Sequence, residues 1–388
     1  MSIKNILIGV SGGIAAYKIP FLVRLLVKAG YSVKVVLTTS AEGLVGVDAL
    51  RTVSSNPVYQ DRVGEYDMNH IRLEEWADLY LIAPATANTI AKITHGIADN
   101  LLSTLFLSVK VPVLVAPAMN VNMWENSATQ SNITTLKERG VSVLPVGFGE
   151  LACGVVAAGR MVEPEDLLSY IKLAPYGSSL KGERVLVVSG PTEESIDPVR
   201  VITNRSSGKM GNALVRAATA MGAEVTMISG PASTPKPSGV TLLSVNSALD
   251  MFNAVKSEIN GYTTIVMVAA VSDYRVESIS ESKISREDSG EITLKLIQNP
   301  DISKWIGSNK SDNQILITFA LESGSSQKAL EKMERKGSDF SVYNHIEDSL
   351  EKSSSKVEIF SKNGSSLSVI GSKEKCALEI LTFAIKQD

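Results

Sequence analysis

The chain has 388 residues, more than one hydrophobic core usually organises, so two domains are expected. Hydrophobic residues make up 44% and charged residues 20%, which is typical of a folded globular protein and excludes extensive disorder. The 38 basic and 41 acidic residues nearly cancel, which argues against nucleic acid or an anionic membrane as the main partner and leaves phosphorylated small molecules open.

Cysteine and histidine are scarce. Cys153 and Cys376 are too few for a disulfide framework or a cysteine-based zinc site, and His70, His95 and His345 are too scattered to form a metal cluster. The N-terminus shows no signal-peptide pattern, and no apolar run is long enough to span a bilayer. These features predict a cytoplasmic protein.

The first half alternates short apolar strands with helical stretches. Ile6–Val10 is followed by a small-residue turn and then by a helical pattern from Ile14 to Lys28. Further strand-like runs are Val33–Leu37, Leu79–Ile82, Val113–Val115 and Val141–Leu144. Apolar strands separated by helices predict a parallel sheet that is covered on both faces.

The second half repeats this pattern and ends differently. Its strand-like runs are Arg184–Val188, Glu224–Ile228, Thr264–Val268 and Ile315–Phe319. Lys356–Phe360 and Ser366–Ile370 then flank Lys362-Asn363-Gly364, which predicts a hairpin, and a helix from Lys373 to Lys386 closes the chain. The hairpin would give this half a mixed sheet.

A stretch containing Pro, Gly and Ser, Leu173–Leu180, separates the halves and predicts a linker. The sequence therefore predicts an α/β protein of two doubly wound, Rossmann-like domains, residues 1–178 and 179–388.

Small and polar residues follow four strands of the first half, at Ser11-Gly12-Gly13, Thr38–Ser40, Ala83–Asn88 and Ala116–Trp124. Open parallel sheets bind ligands beyond the carboxyl ends of their strands, so these loops predict one shared site. The glycine turn before a helix suits a phosphate, and it lacks the GxGxxG spacing of NAD-binding proteins. Taken alone, the turn fits equally well a tight connection that binds nothing.

This half resembles the flavin-dependent cysteine decarboxylases, and above all the phosphopantothenoylcysteine decarboxylases. The matching motifs are Gly12–Lys18, Asn69-His70, Pro84–Asn88, Pro117–Trp124 and Cys153-Gly154 with Gly159–Met161, within residues 1–172. The resemblance implies a flavoprotein fold that binds FMN through Ser11, Gly12, Gly13, Thr38, Ser40, Pro84, Ala85, Thr86, Asn88, Ser103 and Met119.

The same resemblance implies roles for three side chains in oxidising the substrate's cysteinyl group, releasing CO2 and reducing the resulting enethiolate. His70 would act as base or charge partner, Asn120 would hold the departing carboxylate, and Cys153 would protonate the enethiolate. Each residue also has a structural alternative. His70 could be a helix-end residue, Asn120 could cap a helix starting near Met123, and Cys153 could be a small buried residue.

In the second half, Ser206-Ser207-Gly208-Lys209 precedes a helical pattern that reaches about Met221. Backbone N–H groups and a lysine there could hold a phosphate, although the GxxxxGK[ST] spacing of a P-loop is absent. A helix cap with a surface lysine is the alternative.

Residues 180–345 resemble the phosphopantothenate–cysteine ligase domain, most specifically through Asn204–Gly211. The other matching segments are Ala269–Arg275, Lys283, Asn299–Ile302, Phe319–Glu322, Lys332 and Lys336. A decarboxylase followed by this ligase is the bifunctional arrangement of bacterial coenzyme A biosynthesis.

The resemblance implies that CTP, with Mg²⁺ held mostly by its phosphates, converts the carboxylate of phosphopantothenate into an acyl-cytidylate that cysteine attacks. Asn204 would orient this intermediate, Arg200 would support it, and Lys283 would stabilise charge as it forms. The implied nucleotide contacts are Ala269, Asp273, Lys283, Asn299, Pro300, Asp301, Ile302, Phe319, Lys332 and Lys336.

Several positions depart from the family patterns. Lys283-Ile284-Ser285-Arg286 stands where the ligases carry Lys-x-Lys-Lys, and Tyr343 replaces the alanine of an Ala-Asn pair. In the segment around Cys153, Val155 stands where an acidic residue is frequent and Ala157 where glycine is usual.

The resemblance also implies a homo-oligomer with trimeric decarboxylase units and dimeric ligase domains, as in a dodecamer. Two other functions compete with the bifunctional enzyme. A non-catalytic flavin-binding or regulatory protein would not need His70, Asn120 and Cys153 together. A flavin prenyltransferase or another flavoprotein decarboxylase would leave residues 180–345 unexplained.

Overall fold

A computed structural model describes residues 3–60, 68–152, 154–177, 179–285, 291–322, 326–345 and 354–385. The chain divides into an N-terminal unit, Met1–Gly177, and a C-terminal unit, Ser178–Asp388. Among the described residues, no helix is both long and apolar enough to cross a membrane.

The N-terminal unit is built on a six-stranded parallel sheet with the order β3-β2-β1-β4-β5-β6. A separate antiparallel hairpin, β7–β8, follows it. The strands are β1 Asn5–Val10, β2 Ser32–Leu37, β3 Val58–Gln60, β4 Leu79–Ala85, β5 Val113–Pro117, β6 Ser142–Val143, β7 Gly147–Glu150 and β8 Val156–Arg160.

Helices connect these strands. They are α1 Ile19–Lys28, α2 Thr39–Glu42, α3 Val47–Ser54, α4 Asn69–Trp76, α5 Ala87–His95, α6 Leu101–Ser108, α7 Val121–Glu125, α8 Ser127–Glu138 and α9 Pro164–Leu173, with 3-10 turns at Ile14–Lys18 and Ala174–Tyr176. The single helix predicted from Ile14 to Lys28 is thus a 3-10 turn followed by α1. Pro20 explains the break, because it has no N–H to donate to the carbonyl four residues before it.

The C-terminal unit contains an eight-stranded mixed sheet and two small antiparallel ribbons, β10–β11 and β15–β16. Its strands are β9 Arg184–Ser189, β10 Glu193–Ser195, β11 Val201–Thr203, β12 Glu224–Ser229, β13 Thr241–Ser244, β14 Thr264–Met267, β15 Tyr274–Val276, β16 Leu296–Gln298, β17 Ile315–Glu322, β18 Phe340–His345, β19 Ser354–Ser361 and β20 Ser366–Ser372. Its helices are α10 Lys209–Ala220, α11 Ala248–Glu258, α12 Ile302–Asn309, α13 Ser326–Lys336 and α14 Lys373–Ile385, with a 3-10 turn at Ile259–Gly261.

The order of the large sheet is β13-β12-β9-β14-β17-β18-β19-β20. Pairing is parallel from β13 through β18, and β19 and β20 add the antiparallel hairpin that Asn363-Gly364 predicts. The predicted α/β class, with a parallel first sheet and a mixed second sheet, is therefore confirmed. The ribbons were not predicted, because each of their strands has only three residues.

The strands of both sheets are buried apolar runs. In β1 and β4 every residue except Asn5 is buried, and in β9 only Arg184 is exposed. Such a sheet has little polar surface of its own, so its polar groups are concentrated in the loops at the strand ends.

Candidate functional site

The N-terminal unit has a cavity of about 830 Å³ at the carboxyl ends of its strands. This volume lies within the range of small-molecule and cofactor pockets, roughly 300–1,000 Å³. All four loops expected at this edge contribute to the lining, through Ser11, Gly12, Gly13, Thr38, Ser40, Thr86, Asn88, Met119 and Asn120.

Ser11 ties the first of these loops to the loop after β4. Its buried hydroxyl donates to the carbonyl oxygen of Pro84 at 2.7 Å and accepts from the backbone N–H of Thr86 at 3.0 Å. Pro84 and Ala85 do not line the cavity, and they lie in the strand end below it. The side chain of Thr86 also caps α5. The N–H groups in the first turn of a helix have no partner within the helix, and together with the helix dipole they favour an anion.

Gly12 allows the glycine turn to approach the start of α2 closely. A Cβ atom at this position would lie 2.4 Å from the Cβ of Ser40, well inside contact distance. Gly159 in β8 has a similar role on the opposite wall, where its φ is +136° and a Cβ would lie 2.3 Å from the carbonyl oxygen of Met119. Any side chain at either position would push two cavity walls apart.

Two cations of the cavity wall share one carboxylate. The ammonium of Lys18 lies 2.7 Å from the Oε1 of Glu163, and Nη2 of Arg160 lies 3.2 Å from the same oxygen. Lys18 and Arg160 line the cavity, and the side chain of Lys18 is only 10% exposed. This trio carries a net positive charge, which suits a phosphate or carboxylate ligand.

Asn120 lies in the cavity wall and also caps a helix. Its Oδ1 accepts the backbone N–H of Asn122 at 2.9 Å, at the start of α7. The structural alternative for Asn120, a helix cap, is therefore confirmed. It does not compete with ligand binding, because the cap uses the carbonyl oxygen and fixes which way the amide NH2 points.

Two other sequence-predicted residues lie away from the cavity lining. His70 is the second residue of α4, as expected for a helix-end residue. Ser103 is buried and forms a capping box with Asn100, which itself lines the cavity. Cys153 lies outside the described residues.

The C-terminal unit has a second cavity, of about 600 Å³, between the carboxyl ends of β14 and β17 and helix α13. Nine sequence-predicted nucleotide contacts line it, namely Ala269, Asp273, Asn299, Pro300, Asp301, Ile302, Phe319, Lys332 and Lys336. Lys283, the tenth, is exposed and does not line it. Arg335 and Lys304 line the cavity and were missed, because neither belongs to a recognised motif.

The side-chain amide of Asn299 holds the loop around this residue in place. Nδ2 of Asn299 donates to the carbonyl of Ser272 at 2.8 Å, and Oδ1 accepts from Nη1 of Arg275 at 2.9 Å. Asp301 then caps α12 by accepting the N–H of Lys304 at 3.0 Å. These bonds fix the polar floor of the cavity.

Cations cluster on the opposite wall. Lys332, Arg335 and Lys336 all line the cavity from α13. Burial lowers the pKa of Lys336, and the positive charges of Lys332 and Arg335 lower it further, against the opposing effect of Asp301 and Asp273. An anionic ligand in the cavity would reduce the repulsion between these positive charges.

Asn204 reaches the same region from the segment before α10. Its Nδ2 donates to the carbonyl oxygens of Ala270 and Val271, both at 3.1 Å, in the loop that follows β14. These two bonds occupy both N–H groups of the amide, so Oδ1 is the atom that Asn204 offers to a ligand.

Both halves of the chain match known families. Residues 1–174 match the Flavoprotein family, and residues 180–387 match the C-terminal domain of the DNA/pantothenate metabolism flavoproteins. The chain is 40% identical over 386 residues to the coenzyme A biosynthesis bifunctional protein CoaBC of Vibrio vulnificus strain YJ016, with 97% of this chain and 96% of that protein aligned.

A second relative is the protein of the same name from Escherichia coli K12, which is 39% identical over 351 residues, 88% of this chain and 86% of that one. Among solved structures, the C-terminal domain of a CoaBC protein covers 55% of this chain and all of its own, with 34% identity and a TM-score of 0.47. The chain therefore belongs to the CoaBC family of bifunctional coenzyme A biosynthesis enzymes, with a flavoprotein decarboxylase domain followed by a ligase domain.

Proposed function

We propose that the chain makes 4'-phosphopantetheine in two steps, each in its own unit. The C-terminal unit would join 4'-phosphopantothenate to cysteine with CTP, and the N-terminal unit would decarboxylate the product with FMN. The observation that carries this proposal is that most of the family motifs in each unit line one cavity at the carboxyl ends of its strands.

The N-terminal cavity fits FMN in size and in chemistry. Gly12 and Gly13 offer backbone close to the N-terminal turn of the first helical segment. The hydroxyl oxygens of Ser11 and Thr86, whose protons are donated to Pro84 and Thr89, could accept hydrogen bonds from a ribityl chain. FMN supplies reversible two-electron redox chemistry at a thiol-bearing carbon. The other named contacts, Thr38, Ser40, Asn88 and Met119, line the same space.

The substrate would lie against Asn120, Lys18 and Arg160. The amide NH2 of Asn120 would hold the carboxylate that leaves as CO2, while the net positive charge of the Lys18–Glu163–Arg160 trio attracts the anionic substrate. Cys153 would give the last proton to the enethiolate, and His70 would assist the oxidation; both roles rest on the family motifs.

The C-terminal cavity fits a nucleoside triphosphate. Lys332, Arg335 and Lys336 would neutralise the phosphates, and Asp273 with the Asn299 loop would hold the nucleoside. Asn204 would then orient the acyl-cytidylate, with Arg200 supporting it and Lys283 stabilising the charge that develops as it forms. Mg²⁺ would bind mainly to phosphate oxygens, since the described residues contain no cluster of metal ligands.

Exposed apolar side chains in each unit support the proposed homo-oligomer. Ile14, Tyr17 and Phe21 are exposed near the N-terminal cavity, and Phe21 is 71% exposed. In the C-terminal unit Val201 and Tyr274, one from each ribbon, are exposed as well. We propose that these faces are covered in trimeric decarboxylase units and dimeric ligase domains. Such contacts would bring His70 and Lys283 to sites that a single chain leaves incomplete.

Gly12→Ala tests the proposed FMN site. The new methyl group would collide with Ser40 and push apart the turn and the start of α2. Overpacking typically costs about 1–3 kcal/mol, so we expect FMN to bind about tenfold or more weakly. The flavin absorbance of the purified protein and a fluorescence titration with FMN would measure the change.

Gly43→Ala is the matched control. Gly43 immediately follows α2, its φ is −76°, and no atom lies within 4 Å of the position its Cβ would take. Gly43→Ala should bind FMN like the parent protein. Equal FMN affinity in Gly12→Ala and the parent protein would contradict the proposed location of the cofactor.

A further inference from the structure

We propose that Asp197 positions Lys283 for the ligase reaction by holding the peptide unit that follows this lysine. No motif assigns a role to Asp197. The inference rests on the proposed function, since it takes Lys283 as the group that stabilises charge on the activated carboxylate. It adds a residue that touches neither substrate nor nucleotide and acts through another side chain.

The side chain of Asp197 is fully buried and both of its oxygens accept two donors. Oδ1 accepts the backbone N–H groups of Val199 and Arg200, each at 2.8 Å. Oδ2 accepts Nη1 of Arg200 at 3.0 Å and the backbone N–H of Ile284 at 3.2 Å. A buried carboxylate with four donors is held in one orientation.

Arg200 completes a clamp on Ile284. Its Nη1 donates to the carbonyl oxygen of Ile284 at 3.2 Å while it binds Asp197. The Asp197–Arg200 ion pair therefore fixes both the N–H and the C=O of Ile284, and these three residues form the clamp. The N–H of Ser280 also donates to the carbonyl of Ile196 at 3.0 Å, which ties the same segment at a second point.

The clamp contains hydrogen bonds that the local turn does not require. Oδ1 alone closes the turn from Asp197 to Arg200, in the manner of an Asx-turn. Oδ2 and Arg200 instead reach a segment 84 to 87 residues away. Lys283 itself is exposed, and the clamp holds the peptide unit that joins it to Ile284.

The role expected for Arg200 changes accordingly. The family motif implies direct support of the acyl-cytidylate, whereas the structure uses Nη1 of Arg200 for Asp197 and Ile284. The side chain of Arg200 is still 42% exposed, so the rest of the guanidinium can contact a ligand. The clamp thus links one proposed catalytic side chain, Arg200, to the backbone of another, Lys283.

Asp197→Asn breaks the clamp with the smallest change of shape. An asparagine has one acceptor oxygen, so its NH2 group must face two of the four donors in either orientation. Misplacing a catalytic group by about 1 Å can cost about 100-fold. We expect the rate of amide formation to fall about 10- to 100-fold, with decarboxylation of supplied phosphopantothenoylcysteine unchanged. Asp312→Asn, at an exposed position, is the matched control.

A double-mutant cycle with Lys283→Gln separates positioning from a general structural effect. If Asp197 acts through Lys283, Asp197→Asn should slow the Lys283→Gln enzyme by less than about threefold. The same fold loss in both backgrounds would overturn the inference. Full activity of Lys283→Gln would contradict the role proposed for Lys283 itself, and the inference would fall with it.

Folding is checked independently in the C-terminal unit. CTP affinity, measured by calorimetry, should be similar in Asp197→Asn and the parent protein because Asp197 does not line the nucleotide cavity. Should Asp197→Asn fail to fold, Asp197→Ser keeps an oxygen for the local turn, removes the one that reaches Ile284, and enters the same cycle. Non-additive losses with Lys283→Gln support the clamp, and additive losses overturn it.

Discussion

Replacing Asn120 with aspartate is expected to slow decarboxylation of phosphopantothenoylcysteine by about 100-fold or more while amide formation continues at the parent rate. Aspartate keeps the oxygen that accepts the N–H of Asn122, and it caps helices about as well as asparagine. It removes the NH2 donor and places a negative charge beside the substrate carboxylate. Losing one such donor commonly costs about 100- to 1,000-fold in rate.

Asn126→Asp is the matched control for this change. Asn126 caps α8 in the same way, with Oδ1 accepting the N–H of Ala128 at 3.0 Å, and it does not line the cavity. Decarboxylase assays on both variants separate capping from substrate binding. Parent activity in Asn120→Asp would reduce Asn120 to a helix cap and remove it from the site.

Asn204→Ala is expected to lower the rate of amide formation by about 100-fold and to leave decarboxylation intact. The two hydrogen bonds to Ala270 and Val271 engage the NH2 group of Asn204, so Oδ1 is the acceptor that we propose contacts the acyl-cytidylate, and alanine removes it. A polar contact made only in the reacting complex appears mainly in kcat. Steady-state kinetics with CTP, phosphopantothenate and cysteine would measure it.

Asn309→Ala controls for the loss of an exposed amide elsewhere in the unit. Asn309 ends α12, where Nδ2 donates to the carbonyl of Trp305 at 2.8 Å. This variant should keep the parent rate. If Asn204→Ala raised only the KM for one substrate and left kcat unchanged, Asn204 would contribute to binding and not to the orientation of the intermediate.

The sequence was most informative about the sheets and the strand-end loops. Buried parallel strands read as unbroken apolar runs, so β1, β4 and β9 could be located to within a few residues. Parallel pairing then brings every following loop to the same edge, which explains why the loops after β1, β2, β4 and β5 share one cavity.

Contacts between distant segments could not be read in this way. Lys18 and Glu163 are 145 residues apart, and Asp197 and Ile284 are 87 apart. Neither pair has a fixed spacing or a periodic pattern, since the separation depends on how many elements the chain forms between them. Arg335 was missed for a simpler reason, because a single arginine on an amphipathic helix is usually a solvated residue.

Other differences have local causes. The family resemblance implies a cofactor contact for Ser103, but its hydroxyl is engaged with Asn100 at the start of α6. Lys283 was expected in the nucleotide site, and it lies on the surface of its own chain. A sequence motif identifies a residue type at a position, but it does not show which ligand or which chain that side chain will contact.

The most direct test of the whole account is product analysis by mass spectrometry. Purified protein would receive phosphopantothenate, cysteine, Mg²⁺ and CTP, with a parallel reaction containing ATP. We expect phosphopantetheine and CMP together in the CTP reaction, from a yellow protein. Absence of product from CTP, with turnover of supplied phosphopantothenoylcysteine intact, would contradict the proposed ligase reaction and leave only the decarboxylase.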